Sequence, residues 1–265
     1  MQSAMNFETS FLESSGIQPI GNGRRSDRDD GGTDPHTLPN EITTGTTTVG
    51  AVGADGVVLA ADRRASLSGK FVTNRSARKI EPVADRTAVA FSGSVSDAQS
   101  LVRHLRAELR GYELRHGDAA SVETAATVAG DLVRRGPYRI LDLVLAGVDD
   151  GPAVCQIGGG GGVMETAYAA SGSGMQLAYG SLEGAYEPDL PLSDLRRVVA
   201  TAVQSSTERD TASGDGMTIA TITADSLELE QFGTVADGVA STADRSRDAG
   251  SNDPNTIDES DEEVH

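Results

Sequence analysis

With 265 residues, 40 acidic against 22 basic side chains and a formal net charge of −18, the chain is long enough for one sizeable core. It lacks the basic balance that a nucleic acid or an anionic membrane surface demands. Arginine occurs 20 times and lysine twice, at Lys70 and Lys79, an acid-rich, lysine-poor usage that suits a salty interior where ions screen self-repulsion.

The single cysteine, Cys155, excludes an internal disulfide, suits a reducing cytoplasm and reads as a core thiol within Ala-Val-Cys-Gln-Ile. No apolar run approaches the roughly 20 residues of a membrane span.

Residues 1–45 mix Ser, Gly, Asp, Pro and Asn without lasting periodicity and are expected to be loose. Patterned sequence then runs over 46–236. Strands are predicted at Thr46–Val52, Gly56–Asp62, Lys70–Thr73, Arg78–Val83 and Thr87–Ser92. The period then turns helical: Ala98, Leu101, Val102, Leu105, Leu109 and Tyr112 share one face, with Ser96 and Gln99 as a capping box. A second helix is predicted from Ser121 to Arg135, stopped by Gly136-Pro137.

Strands return at Ile140–Val148, Ala153–Ile157 and Val163–Ala170, the first two joined by an Asp149-Asp150-Gly151 turn. Two more helices follow, Met175–Tyr186 and, after a Ser193 cap, Asp194–Glu208. Strands Met217–Thr223 and Leu227–Phe232 close the pattern. Residues 237–265 read as an acidic disordered tail with no closing helix. Blocks of strands alternating with pairs of helices predict an α+β fold, two packed sheets with a helical pair outside each.

Few residues suggest chemistry by type alone. Asp62 ends an apolar strand, so it is either a buried carboxylate or a turn residue paired with Arg63, Arg64 or solvent. Lys79 stands in an alternating segment of a chain that prefers arginine, and lysine differs from arginine in being able to share its proton when buried; a plain surface lysine is the alternative.

The five glycines Gly158–Gly162 fit neither a dinucleotide fingerprint nor a P-loop, and a hairpin loop accounts for them. Ser171-Gly172-Ser173-Gly174 precedes a helix and offers either ligand-facing amides or a simple turn. His36, His104, His116 and His265 are scattered, so neither a metal cluster nor a serine–histidine triad is expected, and no cofactor is implied.

Five motifs in order resemble the β subunits of the archaeal proteasome core particle, within the N-terminal-nucleophile hydrolases. They are Gly45-Thr46-Thr47-Thr48-Val49-Gly50, Gly56 to Ser66, Ser92-Gly93-Ser94-Val95-Ser96-Asp97-Ala98-Gln99, Ala170-Ser171-Gly172-Ser173-Gly174 and Arg209-Asp210-Thr211-Ala212-Ser213-Gly214. The resemblance implies a four-layer α-β-β-α sandwich and a propeptide, residues 1–45, removed between Gly45 and Thr46. The Thr46 hydroxyl would then be the nucleophile and its freed α-amine, with a reference pKa of about 7.7–8.0, the base.

By motif position, Lys79 would tune that amine, Asp62 would orient Lys79, and Ser173, Asp210 and Ser213 would form a supporting network. The Gly93 N–H would lie in the oxyanion hole. Ala65, Ala77, Phe91 and Val95 match pocket-lining positions and imply cleavage after apolar residues, with Glu81 at the rim favouring a basic neighbour.

From Asp62 the family spacing lands on Arg78; one extra residue within Ser68–Ser76 restores Lys79, and without it Arg78 occupies the site. The implied partners are a homo-oligomeric heptameric β ring, α subunits, peptide and protein substrates, and indirectly an unfoldase ATPase, in the cytoplasm. A non-catalytic β-ring subunit and a bacterial-type proteasome-like peptidase are the alternatives.

Overall fold

The computed structural model describes residues 45–67, 69–138 and 141–250. The expected leader up to Thr44, and the tail beyond Gly250, lie outside the described residues. Strands β1 (Thr47–Val52) and β2 (Gly56–Asp62) form a hairpin in a five-stranded sheet of order β10-β1-β2-β11-β12, with β10 at Tyr168–Gly172, β11 at Met217–Thr223 and β12 at Leu227–Phe232. The second sheet has the order β5-β6-β7-β8-β9, from Ile80–Ala84, Thr87–Gly93, Leu141–Val148, Pro152–Ile157 and Val163–Glu165. A small hairpin, β3 (Ala65–Leu67) with β4 (Phe71–Asn74), stands apart from both. Every pairing in both large sheets is antiparallel.

The four layers follow from side-chain alternation. In β2, Val57, Leu59 and Ala61 enter the core between the sheets, while Val58 and Ala60 enter the core under the helices. In β7, Val144, Ala146 and Val148 face the other sheet, and Leu141, Leu143 and Leu145 pack against helices α1 (Val95–His116) and α2 (Val122–Arg135). Helices α3 (Met175–Ala185) and α4 (Leu192–Thr207) cover the first sheet through Ala178, Leu182, Leu195, Val199 and Val203. This is the α-β-β-α sandwich that the block order predicts. No described helix is long and apolar enough to cross a membrane.

Local details depart from the sequence reading. Ser94, not Ser96, caps α1: its backbone is extended and its Oγ accepts from the Asp97 N–H at 3.4 Å, so the helix starts at Val95. Helix α4 starts at Leu192 after Pro191, whose fixed φ leads the chain in, and Ser193 lies inside the first turn. The run Val163–Ala170 is two strands rather than one. It leaves the second sheet after Glu165 and joins the first as β10, with Thr166 N–H still donating to Val154 O at 3.0 Å at the crossing.

The region after Phe232 also differs from the expected disorder. Val235–Gly250 is helix α5, which rests on α4 and β11 through Val235, Gly238 and Val239, with Thr242 fully buried. A three- and four-residue apolar step is present there, but short apolar side chains among Ser, Thr and Asp make it faint in the sequence.

Candidate active site

Strand β1 places the start of the first sheet between two neighbours. Thr47 is opposite Gly172 of β10, and Thr48 is opposite Ala61 of β2, so the end of β2 and the turn after β10 both reach the residues around Thr46. The backbones approach closely: a Cβ on Gly172, whose φ is +97°, would lie 2.0 Å from the Thr46 carbonyl oxygen.

Thr46 is buried, and its Oγ1 donates to the Gly45 carbonyl oxygen at 2.7 Å. Its backbone N–H donates to Ser173 Oγ at 3.2 Å. Ser173 Oγ donates in turn to Asp210 Oδ2 at 2.5 Å, and Ser213 Oγ donates to the same oxygen at 2.6 Å. With the Ser213 proton so used, the Thr47 hydroxyl, 2.9 Å away, donates to Ser213 Oγ. Asp210 Oδ1 accepts from the Ala212 N–H at 3.0 Å, which fixes the carboxylate on its own turn. Ser173, Asp210 and Ser213 are therefore one network ending at the Thr46 nitrogen.

Asp62 and Lys79 meet below it. Lys79 Nζ lies 2.7 Å from Asp62 Oδ1, with the lysine 3 % exposed and the aspartate fully buried. The same Oδ1 accepts from the Thr47 N–H at 2.8 Å. Oδ2 accepts from Gly214 N–H at 2.8 Å and Arg64 N–H at 3.0 Å. Burial pushes the Asp62 carboxyl upward, opposed by the Lys79 charge and by these hydrogen bonds. Burial likewise lowers the Lys79 ammonium below its ordinary value, with Asp62 and Asp210 opposing and Arg64 adding to the decrease. An acid raised and a base lowered have proton affinities drawn together, which suits a shared proton. Lys79 makes no direct hydrogen bond to Thr46; the Thr47 N–H and Asp62 link them.

Between Lys79 and Arg78 the backbone geometry is decisive. Arg78 is half-exposed and its Nε bonds Glu81 Oε1 at 3.1 Å. On β4, register passes from Asn74 opposite Ala65 to Val72 opposite Ser66, a bulge that leaves Thr73 as one extra residue within the Ser68–Ser76 span.

Gly93, at the end of β6, has φ +113° and leads into α1 through Ser94. Ala65, Ala77, Phe91 and Val95 line one cleft of about 570 Å³, which Glu81 also borders. Ala65 of the cleft is followed in the chain by Ser66, which packs on Gly45: Ser66 Oγ is 2.9 Å from where a Gly45 Cβ would sit, and Ala212 Cβ only 1.8 Å. Glycine is thus the residue that fits before Thr46.

Sequence reasoning gave no site role to four contributors. Thr47 closes the network by its hydroxyl. Arg64 ties the 209–216 turn down, its Nε on Asp215 Oδ2 at 2.7 Å and its NH1 on the Thr211 carbonyl at 2.8 Å. Ser92 and Ser171 hydroxyls, 2.6 Å apart, join the two sheets behind the site. Their signal is only positional, since each is an ordinary residue type lying within one of the five motifs. Among the described residues no His, Cys, Asp and Glu group is arranged to hold a metal.

A profile of the proteasome subunit family matches residues 42–222. A proteasome subunit beta of Halorhabdus utahensis is 46% identical over 208 residues, 78% of this chain and 89% of the relative. That of Natronomonas pharaonis is 44% identical over 194 residues, 73% and 81% of the two chains. Proteasome subunit beta 1 of Haloarcula marismortui is 43% identical over 190 residues, 71% and 79%.

Proposed function

This chain belongs to the proteasome subunit family as a β subunit, and from that we propose that it is a threonine endopeptidase whose nucleophile is Thr46. The observation that carries the proposal is the convergence on one residue. Thr46 has its hydroxyl 2.7 Å from the Gly45 carbonyl oxygen and its nitrogen 3.2 Å from a serine anchored on Asp210, with the Asp62–Lys79 pair one residue away.

In the precursor, Thr46 Oγ1 attacks the Gly45 carbonyl carbon. The new C–O ester bond forms as the Gly45–Thr46 C–N bond breaks, and the hydroxyl proton passes to the leaving nitrogen. Water then cleaves the ester, releasing residues 1–45 and leaving Thr46 with a free α-amine where its amide stood. The family profile begins only at residue 42, which supports treating the preceding residues as a leader.

The mature subunit repeats the chemistry on peptides. The amine takes the Thr46 hydroxyl proton, directly or through water, and the oxygen attacks the substrate carbonyl. Ser173 holds the amine in place, and the Lys79 ammonium disfavours a second positive charge on it. The Gly93 N–H donates to the developing oxyanion, where the missing side chain admits the substrate backbone. The cleft of Ala65, Ala77, Phe91 and Val95 receives the residue before the scissile bond.

Membership of the family implies assembly with other subunits. We further propose a heptameric β ring stacked on α subunits, fed by an unfoldase ATPase in the cytoplasm. A non-catalytic ring role has less support, because the buried Asp62–Lys79 pair would then cost stability without use.

Intact-mass measurement of the assembled particle tests the proposal. A subunit beginning at Thr46 is expected, together with a retained leader and no peptide hydrolysis in Thr46→Ala. Full-length chains in active particles would overturn it.

A further inference from the structure

The cleft beside Gly45 is cationic, although the chain as a whole carries −18. Glu81 is its acidic lining residue, and both carboxylate oxygens are occupied: Arg78 donates to Oε1 at 3.1 Å and Arg106 to Oε2 at 2.9 Å. Arg106 is held further by the Pro82 carbonyl, which accepts from its Nε at 2.8 Å. Glu81 is therefore neutralised, and the preference for a basic neighbour expected from its presence does not follow.

One turn before Arg106 on α1, Arg103 lines the same cleft, is exposed, and has no hydrogen-bond or ion-pair partner among the described residues. The cleft wall between these charges is apolar, from Phe91, Val95 and Val102. A side chain entering there meets hydrocarbon along its stem and a spare guanidinium at the side, which matches a glutamate better than its neutral isostere glutamine and opposes a lysine.

We propose that Arg103 is a specificity-determining residue that makes this cleft favour a glutamate over a glutamine, and disfavour a lysine, before the scissile bond. The proposal rests on the peptidase reading above. Because Arg103 is exposed, its effect is modest, about two- to five-fold in kcat/KM. It diminishes as salt rises, since added ions screen the pair.

The test uses the assembled particle and four fluorogenic peptides that differ only in the residue before the cleaved bond, namely Leu, Glu, Gln and Lys. The expected Glu-to-Gln ratio of kcat/KM is about two to five, with Lys below Gln. In Arg103→Ala the ratio drops to about one, and in Arg103→Glu it falls below one while Lys gains. Both peptides are read on the same protein, so a general change in activity cancels from the ratio. Equal turnover of Glu and Gln peptides alongside cleavage of the Leu peptide would overturn the charge preference alone, as would a ratio unmoved by Arg103→Ala. Absence of cleavage of all four would overturn the peptidase reading and this proposal with it.

Discussion

Lys79 and Asp62 carry the sharpest energetic consequence at a single residue. Truncating one partner of a buried pair strands the other charge, so Lys79→Ala is expected to cost about 3–5 kcal/mol of stability in chemical unfolding. Lys79→Arg keeps a positive charge beside Asp62 and should lose less stability, yet a guanidinium does not give up its proton and has a broad planar head. Peptide hydrolysis should therefore fail in both variants while stability separates them. Native turnover in Lys79→Arg would exclude any need for a titratable amine there. The identity of this residue was only half legible in the sequence. Counting from Asp62 points to Arg78, and only the folded chain shows Lys79 buried on Asp62 while Arg78 is half-exposed on Glu81. A stretch of polar residues does not mark which of two neighbours turns inward, because contacts with distant segments decide it, such as the Phe91 N–H on the Lys79 carbonyl at 3.0 Å.

Among the elements, helix α2 and the five-glycine turn show how packing overrides propensity. A Cβ on Gly130 of α2 would lie 2.7 Å from the Gly161 carbonyl oxygen and 2.8 Å from Val163 Cγ2, and Gly161 itself has φ +79°. Helix propensity alone favours Gly130→Ala by about 1 kcal/mol. The contact with backbone opposes it, and overpacking of this kind costs about 1–3 kcal/mol. Gly130→Ala is accordingly expected to lower the unfolding midpoint, whereas Gly180→Ala in α3, where a Cβ meets nothing within 4 Å, should raise it. A raised midpoint in Gly130→Ala would show that the hairpin tip yields freely. The glycine run was readable as a loop, but its use as a close seat for a helix was not. The same holds for β9 and β10, one continuous run in sequence that two sheets divide between them, and for α5, whose apolar face acquires meaning only against α4.

For the molecule as a whole, Cys155 offers a reporter. It sits in the core beneath α2, and burial pushes its thiol up to about 11, with the Glu165 and Glu123 charges adding to the increase. At pH 8 only about one thiol in a thousand is then thiolate, the species that reacts. Labelling by a thiol reagent should be negligible in the native protein and should rise with the unfolding transition seen by circular dichroism. Rapid labelling well below that transition would mean that the second sheet opens by itself. The sequence determined the layers: residue alternation along strands and three- and four-residue steps along helices are local periodicities, and each apolar face must be buried wherever it lies. It also marked most residues that converge at the candidate site, because Gly45, Thr46, Asp62, Ser173, Asp210 and Ser213 stand in readable motifs, whereas Lys79 lies outside them. Tertiary structure alone decided their connections: that Ser173 and Ser213 share one oxygen of Asp210, that Thr47 joins Lys79's partner to Thr46, and that two arginines silence Glu81. Those contacts link residues far apart in the chain, so their geometry is set by strand register and layer packing rather than by any local pattern.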